Sequence, residues 1–180
     1  MNPSPLNLDR INRMDRAEFV QTFGHIFEHS PWVAELAWEA RPFDSAEAIH
    51  RAMIAAVESR DRAQRIALLA AHPDLAGREA QTGTMTQDST REQARAGLDA
   101  LSATELARIG ELNAAYRARH GFPFIACVRH YTKDGILFEF ERRLTNDTEA
   151  EFRTAHEQIY AITGFRLRAL FAAAQRDLAA

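Results

Sequence analysis

The 180-residue chain is 46% hydrophobic and 26% charged, with a formal net charge of −3 and a single cysteine, Cys127. This composition suits one globular domain with a sizeable core. It supplies no basic excess for a phosphate backbone, which excludes nucleic acid as a partner, and one cysteine excludes an internal disulfide or a multi-cysteine zinc site.

Residues 1–14, "MNPSPLNLDRINRM", read as a Pro-containing N-terminal arm without the apolar centre of a signal peptide. "MDRAEFVQTFGHIFEH" then places Phe19, Phe23, Ile26 and Phe27 at helical spacing behind Asp15 as a cap. "SPWVAELAWEA" opens on Ser30–Pro31, the favoured pairing of N-cap and first helical residue, and stops before Pro42. "DSAEAIHRAMIAAVESR" and "DRAQRIALLAAH" follow, each opening on a capping-type residue. After the polar connector "REAQTGTMTQD", "STREQARAGLDAL" and "SATELARIGELNAAYRARHG" both begin with Ser-x-x-Glu, the capping-box pattern, and Gly121 closes the second.

"FPFIACVR", residues 122–129, breaks the helical rhythm and reads as a short buried extended segment outside any sheet. "TKDGILFEFERRLTN" and the long "DTEAEFRTAHEQIYAITGFRLRALFAAA" return to helix, leaving residues 173–180 as a tail. The expectation is an all-α fold: a single domain over 1–180, with about eight helices and no strand alternation. No apolar run is long enough to span a bilayer, so a cytoplasmic protein with no membrane partner is expected.

Some residues sit awkwardly in this pattern. His72 ends an apolar helix and is followed at once by Pro73, which pushes it out of helical geometry. It is either a C-terminal histidine interacting with the last carbonyls or a stiffly held functional side chain. Arg166 falls in the middle of the last helix's apolar stripe of Phe152, Ala155, Ile159, Ile162, Leu170 and Ala173. A guanidinium facing a core must find acceptors. Glu28 or Glu35 could pair with it, its head could snorkel past the stripe, or it could be a fork held in a pocket for a carbonyl or anionic ligand. Ser89 and Glu92 have capping-box spacing, yet polar residues at a helix start also face ligands. His25 and His29 are one helical turn apart with no third ligand nearby, so no metal is expected, and Cys127 reads as an inert core thiol.

In order along residues 8–172, the blocks "FEHSPWVAELAWEARPF", "HPDLAGREA", "STREQARAGLDAL", "GFPFIACV" and "RRLTND" resemble those of the OHCU (2-oxo-4-hydroxy-4-carboxy-5-ureidoimidazoline) decarboxylase family. The resemblance implies an all-α enzyme, a carboxy-lyase that converts OHCU to (S)-allantoin and carbon dioxide at the end of urate-to-allantoin conversion. It also implies a homodimer, a small-molecule ureidoimidazoline substrate and no cofactor. His72 and Glu92 would be catalytic. Pro73, Ser89, Gln93, Arg166 and the main chain at Phe124 and Ile125 would bind substrate. Some members carry a further basic residue where this chain reads "AITGF", so only Arg166 is carried over from that helix. Two other readings compete: a non-catalytic helical binding module, and a lyase or hydrolase for another ureido or purine-derived ring.

Overall fold

The computed structural model describes residues 6–176; residues 1–5 of the expected arm and 177–180 of the expected tail lie outside them. Among the described residues there are ten α-helices, two 3-10 turns and no strand, so the all-α expectation holds. Three of the helices are only five or six residues long, too short for a periodic signal to register. By contacts the chain forms two units, one built from the chain up to Arg65 and again from Tyr160 onward, the other from Ile66–Ile159.

The first unit begins with a correction. Residues 8–13 of the expected arm are a helix, α1 (Leu8–Arg13), because the Asn7 side chain accepts from the Arg10 N–H and Ile11 is buried. The Asn12 side chain exchanges two 2.8 Å hydrogen bonds with the Phe43 backbone, and Arg41 donates to the Met14 carbonyl at 2.7 Å. These bonds tie α1 to a segment some thirty residues on, a pairing that no local pattern announces.

Helix α2 (Arg16–Phe23) has the expected Asp15 cap, completed as a capping box by Glu18. It ends earlier than expected. Gly24 lies so close to its neighbours that an added Cβ would fall 2.5 Å from the Val20 carbonyl oxygen and 3.2 Å from the Pro31 Cβ. The chain turns there, and His29 takes a left-handed φ of 46°. Phe19, Phe23, Ile26 and Phe27 are all buried nonetheless. His25 and His29 are exposed and not on one helix, and among the described residues no group of three or more His, Cys, Asp or Glu is placed to hold a metal. Helix α3 (Trp32–Ala37) packs against α2, and α4 (Ala46–Glu58, capped by Ser45) packs against α3.

Helix α5 (Arg62–Ala70), opened by Asp61 accepting the Gln64 N–H at 2.8 Å, leads into the second unit. There follow α6 (Arg78–Thr82), α7 (Gln87–Arg95), α8 (Ala103–His120), α9 (Lys133–Leu144) and the first turns of α10 (Thr148–Arg176). The Ser102–Glu105 capping box forms as expected. Glu105 also accepts from Lys133 at 2.5 Å, and that bond, more than the cap, holds its carboxyl at a pKa of about 2. Gly121 ends α8 with φ 81°, a left-handed conformation that a residue with a Cβ adopts only at a cost.

Of the expected segment 122–129, Phe122–Val128 are buried and lie in no sheet, while Arg129 is exposed and falls in a 3-10 turn, Val128–His130. A segment with free backbone polar groups needs partners, and a buried cluster supplies them. Arg143, fully buried, donates to the Ile125 carbonyl and to Glu151, each at 2.8 Å. Glu151 also accepts from Tyr116 and Asn146, and Gln158 accepts the Cys127 N–H at 2.8 Å. The Phe124 ring stacks on Phe140 at 3.9 Å, with the Arg143 guanidinium 4.6 Å from its centre.

Candidate active site

His72 lies just beyond the end of α5, buried, with its N–H on the Leu69 carbonyl. Its ring nitrogen Nδ1 is 3.3 Å from the Leu68 carbonyl oxygen. A carbonyl only accepts, so Nδ1 carries the proton and Nε2 is the basic nitrogen of the neutral ring. The contact with a last-turn carbonyl foreseen for a purely structural histidine is therefore present. It also selects the tautomer that a proton-transfer residue would use.

The loop after His72 is tightly built. Ala76 has a left-handed φ of 47°, a conformation that costs a non-glycine residue about 1–3 kcal/mol and persists only where neighbours enforce it. A Cβ on Gly77 would lie 2.6 Å from the Asp74 Cβ, so glycine is the residue that permits this turn. Gln93 of α7 enforces the conformation: its Oε1 accepts the Ala76 N–H at 2.8 Å and its Nε2 lies 3.4 Å from the Asp74 carbonyl. The structure thus brings Gln93 and Ala76, in the loop that follows His72–Pro73, together across seventeen residues of chain.

Helix α7 corrects the capping expectation. It starts at Gln87, and its cap is Thr86, whose hydroxyl accepts the Ser89 N–H at 3.3 Å. Ser89 is inside the first turn and buried, so Ser89 and Glu92 do not form a capping box. Ser89 and Gln93, four residues apart, share the buried face, while Glu92 is half-buried beside them. The helix ends at Gly97 in a Schellman turn, Gly97 bonding to Ala94 and Leu98 to Gln93. It packs against the Val128–His130 turn that follows the extended segment.

Phe124 and Ile125 lie in that segment. The Phe124 ring is committed to Phe140 and Arg143, and the Ile125 carbonyl to Arg143, so a ligand would meet other main-chain atoms here. A cleft of about 320 Å³ opens on α7 between Met85, Gln93, Leu98 and Leu106; His72, Pro73, Ser89, Glu92, Phe124 and Ile125 do not line it.

Arg166 belongs to the first unit. There it is buried on α10 and donates to Glu28 at 2.8 Å, with a longer 3.4 Å approach to the Ile26 carbonyl. Of the two carboxylates the sequence offered, Glu28 is the partner, while Glu35 lies 3.8 Å from Arg16 at the surface. Leu170 and Ala173 are half-exposed, so the stripe is buried only as far as Arg166.

Sequence reasoning passed over Asn113, Arg117 and Arg143. Asn113 and Arg117 stand at i, i+4 on α8, which was their only local signal. Arg143 sat inside "RRLTND" with nothing local to mark its burial.

The OHCU decarboxylase family model matches residues 12–168. The 2-oxo-4-hydroxy-4-carboxy-5-ureidoimidazoline decarboxylase of Haloferax volcanii is 43% identical over 92% of this chain and 96% of its own length. The enzyme of that name from Mus musculus is 39% identical over 93% of this chain and 94% of its own. A crystal structure of (S)-allantoin synthase superimposes with a TM-score of 0.73 at 31% identity, covering 92% of this chain; this chain spans about half (54%) of that one. An all-α carboxy-lyase is the class these likenesses define. The chain belongs to the OHCU decarboxylase family.

Proposed function

We propose that this chain decarboxylates OHCU to (S)-allantoin, the last step in converting urate to allantoin. The match to the family model over residues 12–168 carries this reading. Loss of carbon dioxide leaves an electron pair on the ring carbon that bears the hydroxyl. The adjacent ring C=N bond accepts that pair, and its nitrogen takes up a proton, so the substrate provides its own electron sink. The hydroxyl-bearing carbon then becomes a carbonyl as its proton departs, and a proton is delivered to the neighbouring carbon that holds the ureido arm.

In this reading His72 takes the hydroxyl proton on Nε2. The Leu68 carbonyl supports that role by holding the proton on Nδ1. Glu92, half-buried on α7, orients the imidazole or bonds substrate N–H groups, and Ser89 and Gln93 offer neutral partners for the ureido arm. Pro73 stiffens the turn, and main-chain groups around Phe124 and Ile125 contact the substrate. Arg166 is the substrate-binding cation, its fork suited to a ring carbonyl or the charge that builds on it. The enzyme is a homodimer and works in the cytoplasm. Among the described residues no helix is long and apolar enough to cross a membrane.

The test follows the circular dichroism of freshly oxidised urate with hydroxyisourate hydrolase present. Added protein should speed the appearance of (S)-allantoin, and His72→Asn should lose that acceleration while keeping its helical spectrum. No acceleration by the unaltered protein overturns the decarboxylase reading; full acceleration by His72→Asn overturns the role of the histidine.

A further inference from the structure

The loop that carries His72 is gripped from a second side, by α8. Asn113, buried, donates from Nδ2 to the Leu75 carbonyl at 3.0 Å. One turn later, Arg117 donates from Nε to both oxygens of Asp74, at 3.0 and 3.2 Å, and from Nη2 at 3.0 Å. The i, i+4 spacing puts both side chains on one face of α8. Successive residues of the loop are thereby held: Asp74 by its carboxylate, Leu75 by its carbonyl, and Ala76, on the α7 side, by Gln93.

The Asn113 amide makes this grip at some expense to itself. Its Oδ1 is buried without a hydrogen-bond partner among the described residues, although its Nδ2 is satisfied. A buried, half-satisfied amide contributes less to stability than one with all its bonds made. Flipping it would set two oxygens facing each other at Leu75. Leucine at this position would bury no unsatisfied oxygen of its own but would strand the Leu75 carbonyl, so the bond to Leu75 is the feature that the substitution tests.

We propose that Asn113 and Arg117 are positioning residues for His72: together they fix the Asp74–Ala76 backbone in its strained form and so aim the imidazole that Pro73 joins to that loop. This rests on the reading of His72 as the proton-transfer group. Neither residue is assigned a substrate contact. Their effect is on where Nε2 sits, and misplacement of a catalytic group by about 1 Å is enough to cost on the order of a hundredfold in rate.

The test compares Asn113→Leu, Arg117→Gln, Arg117→Lys and His72→Asn with the unaltered protein. It measures kcat and KM for OHCU generated in situ, thermal midpoints, and the imidazole nitrogen shifts of His72 across pH. Asn113→Leu should lower the midpoint only modestly and leave the protein folded, while kcat falls about tenfold or more and KM changes little. The His72 resonances should move with it, and Arg117→Lys should recover part of what Arg117→Gln loses. If His72→Asn is inactive but Asn113→Leu and Arg117→Gln keep the parent kcat and His72 shifts, the clamp is overturned and the assignment of His72 survives. If His72→Asn turns over normally, the assignment itself fails and the clamp with it.

Discussion

Arg166 and Glu28, 138 residues apart, form an ion pair at 2.8 Å in which the two side chains are 4% and 1% exposed. A buried pair of this kind does not by itself argue for stability, since both charges have been taken out of water. Removing one partner is another matter, because the other keeps its buried charge without the ion pair.

Glu28→Leu alone should therefore cost about 3–5 kcal/mol of unfolding free energy. Adding Arg166→Met should restore most of it, because an apolar pair of similar volume carries no desolvation penalty. Urea denaturation reads both variants. Activity then separates the two roles of Arg166: as a substrate-binding group, its loss leaves the double variant folded and inactive. A folded double variant with parent activity would assign the arginine to the scaffold.

Arg143 serves the second unit in a comparable way, but with more at stake locally. Arg143→Met leaves the buried Glu151 without its counter-charge and the Ile125 carbonyl without its donor, in surroundings whose burial already pushes the Tyr116 hydroxyl well above the ordinary phenol range. The expected loss is again about 3–5 kcal/mol. Hydrogen exchange should show the 122–128 amides losing protection ahead of α5. Protection lost evenly across the unit would mean that Arg143 does not hold this segment in particular.

His50 predicts a pH dependence. Thr163 donates to the Tyr160 carbonyl, so the His50 Nε2–H donates to Thr163 at 2.9 Å. Burial and, after it, the charge of Arg168 push the His50 pKa below its ordinary value, against smaller upward effects from Tyr160 and Glu47. The unfolded chain takes up the proton first, as pH falls through about 6.5. The stability His50 contributes is thus complete above that pH and is lost as pH falls toward the lowered folded value. His50→Gln should flatten the fall in unfolding free energy between about pH 7 and pH 5. Parallel curves for variant and parent would show that another group sets the slope.

The helices were largely readable because their signals are local. Asp15 with Glu18, Ser45, Asp61, Ser102 with Glu105, and Gly121 all act within one turn of where they stand. Local reading failed where two starts competed. Thr86 won the cap from Ser89 because the helix gains by extending three residues further back, which moved Ser89 from the rim to a buried face. It failed again at Gly24, the C-cap of a helix whose apolar spacing ran on.

The sequence by itself determined an all-α chain, a histidine forced out of its helix by Pro73, and an arginine set in an apolar stripe, since periodicity, capping and proline sterics operate over a few residues. Only the tertiary structure decided what those groups bind. Glu28 rather than Glu35 took Arg166, Gln93 and Arg117 took the loop beyond His72, and Arg143 took Ile125. Each of these is a bond between positions seventeen or more residues apart. A buried charge or carbonyl must be satisfied by some partner, but which one it meets depends on how the helices pack, and no local pattern encodes that.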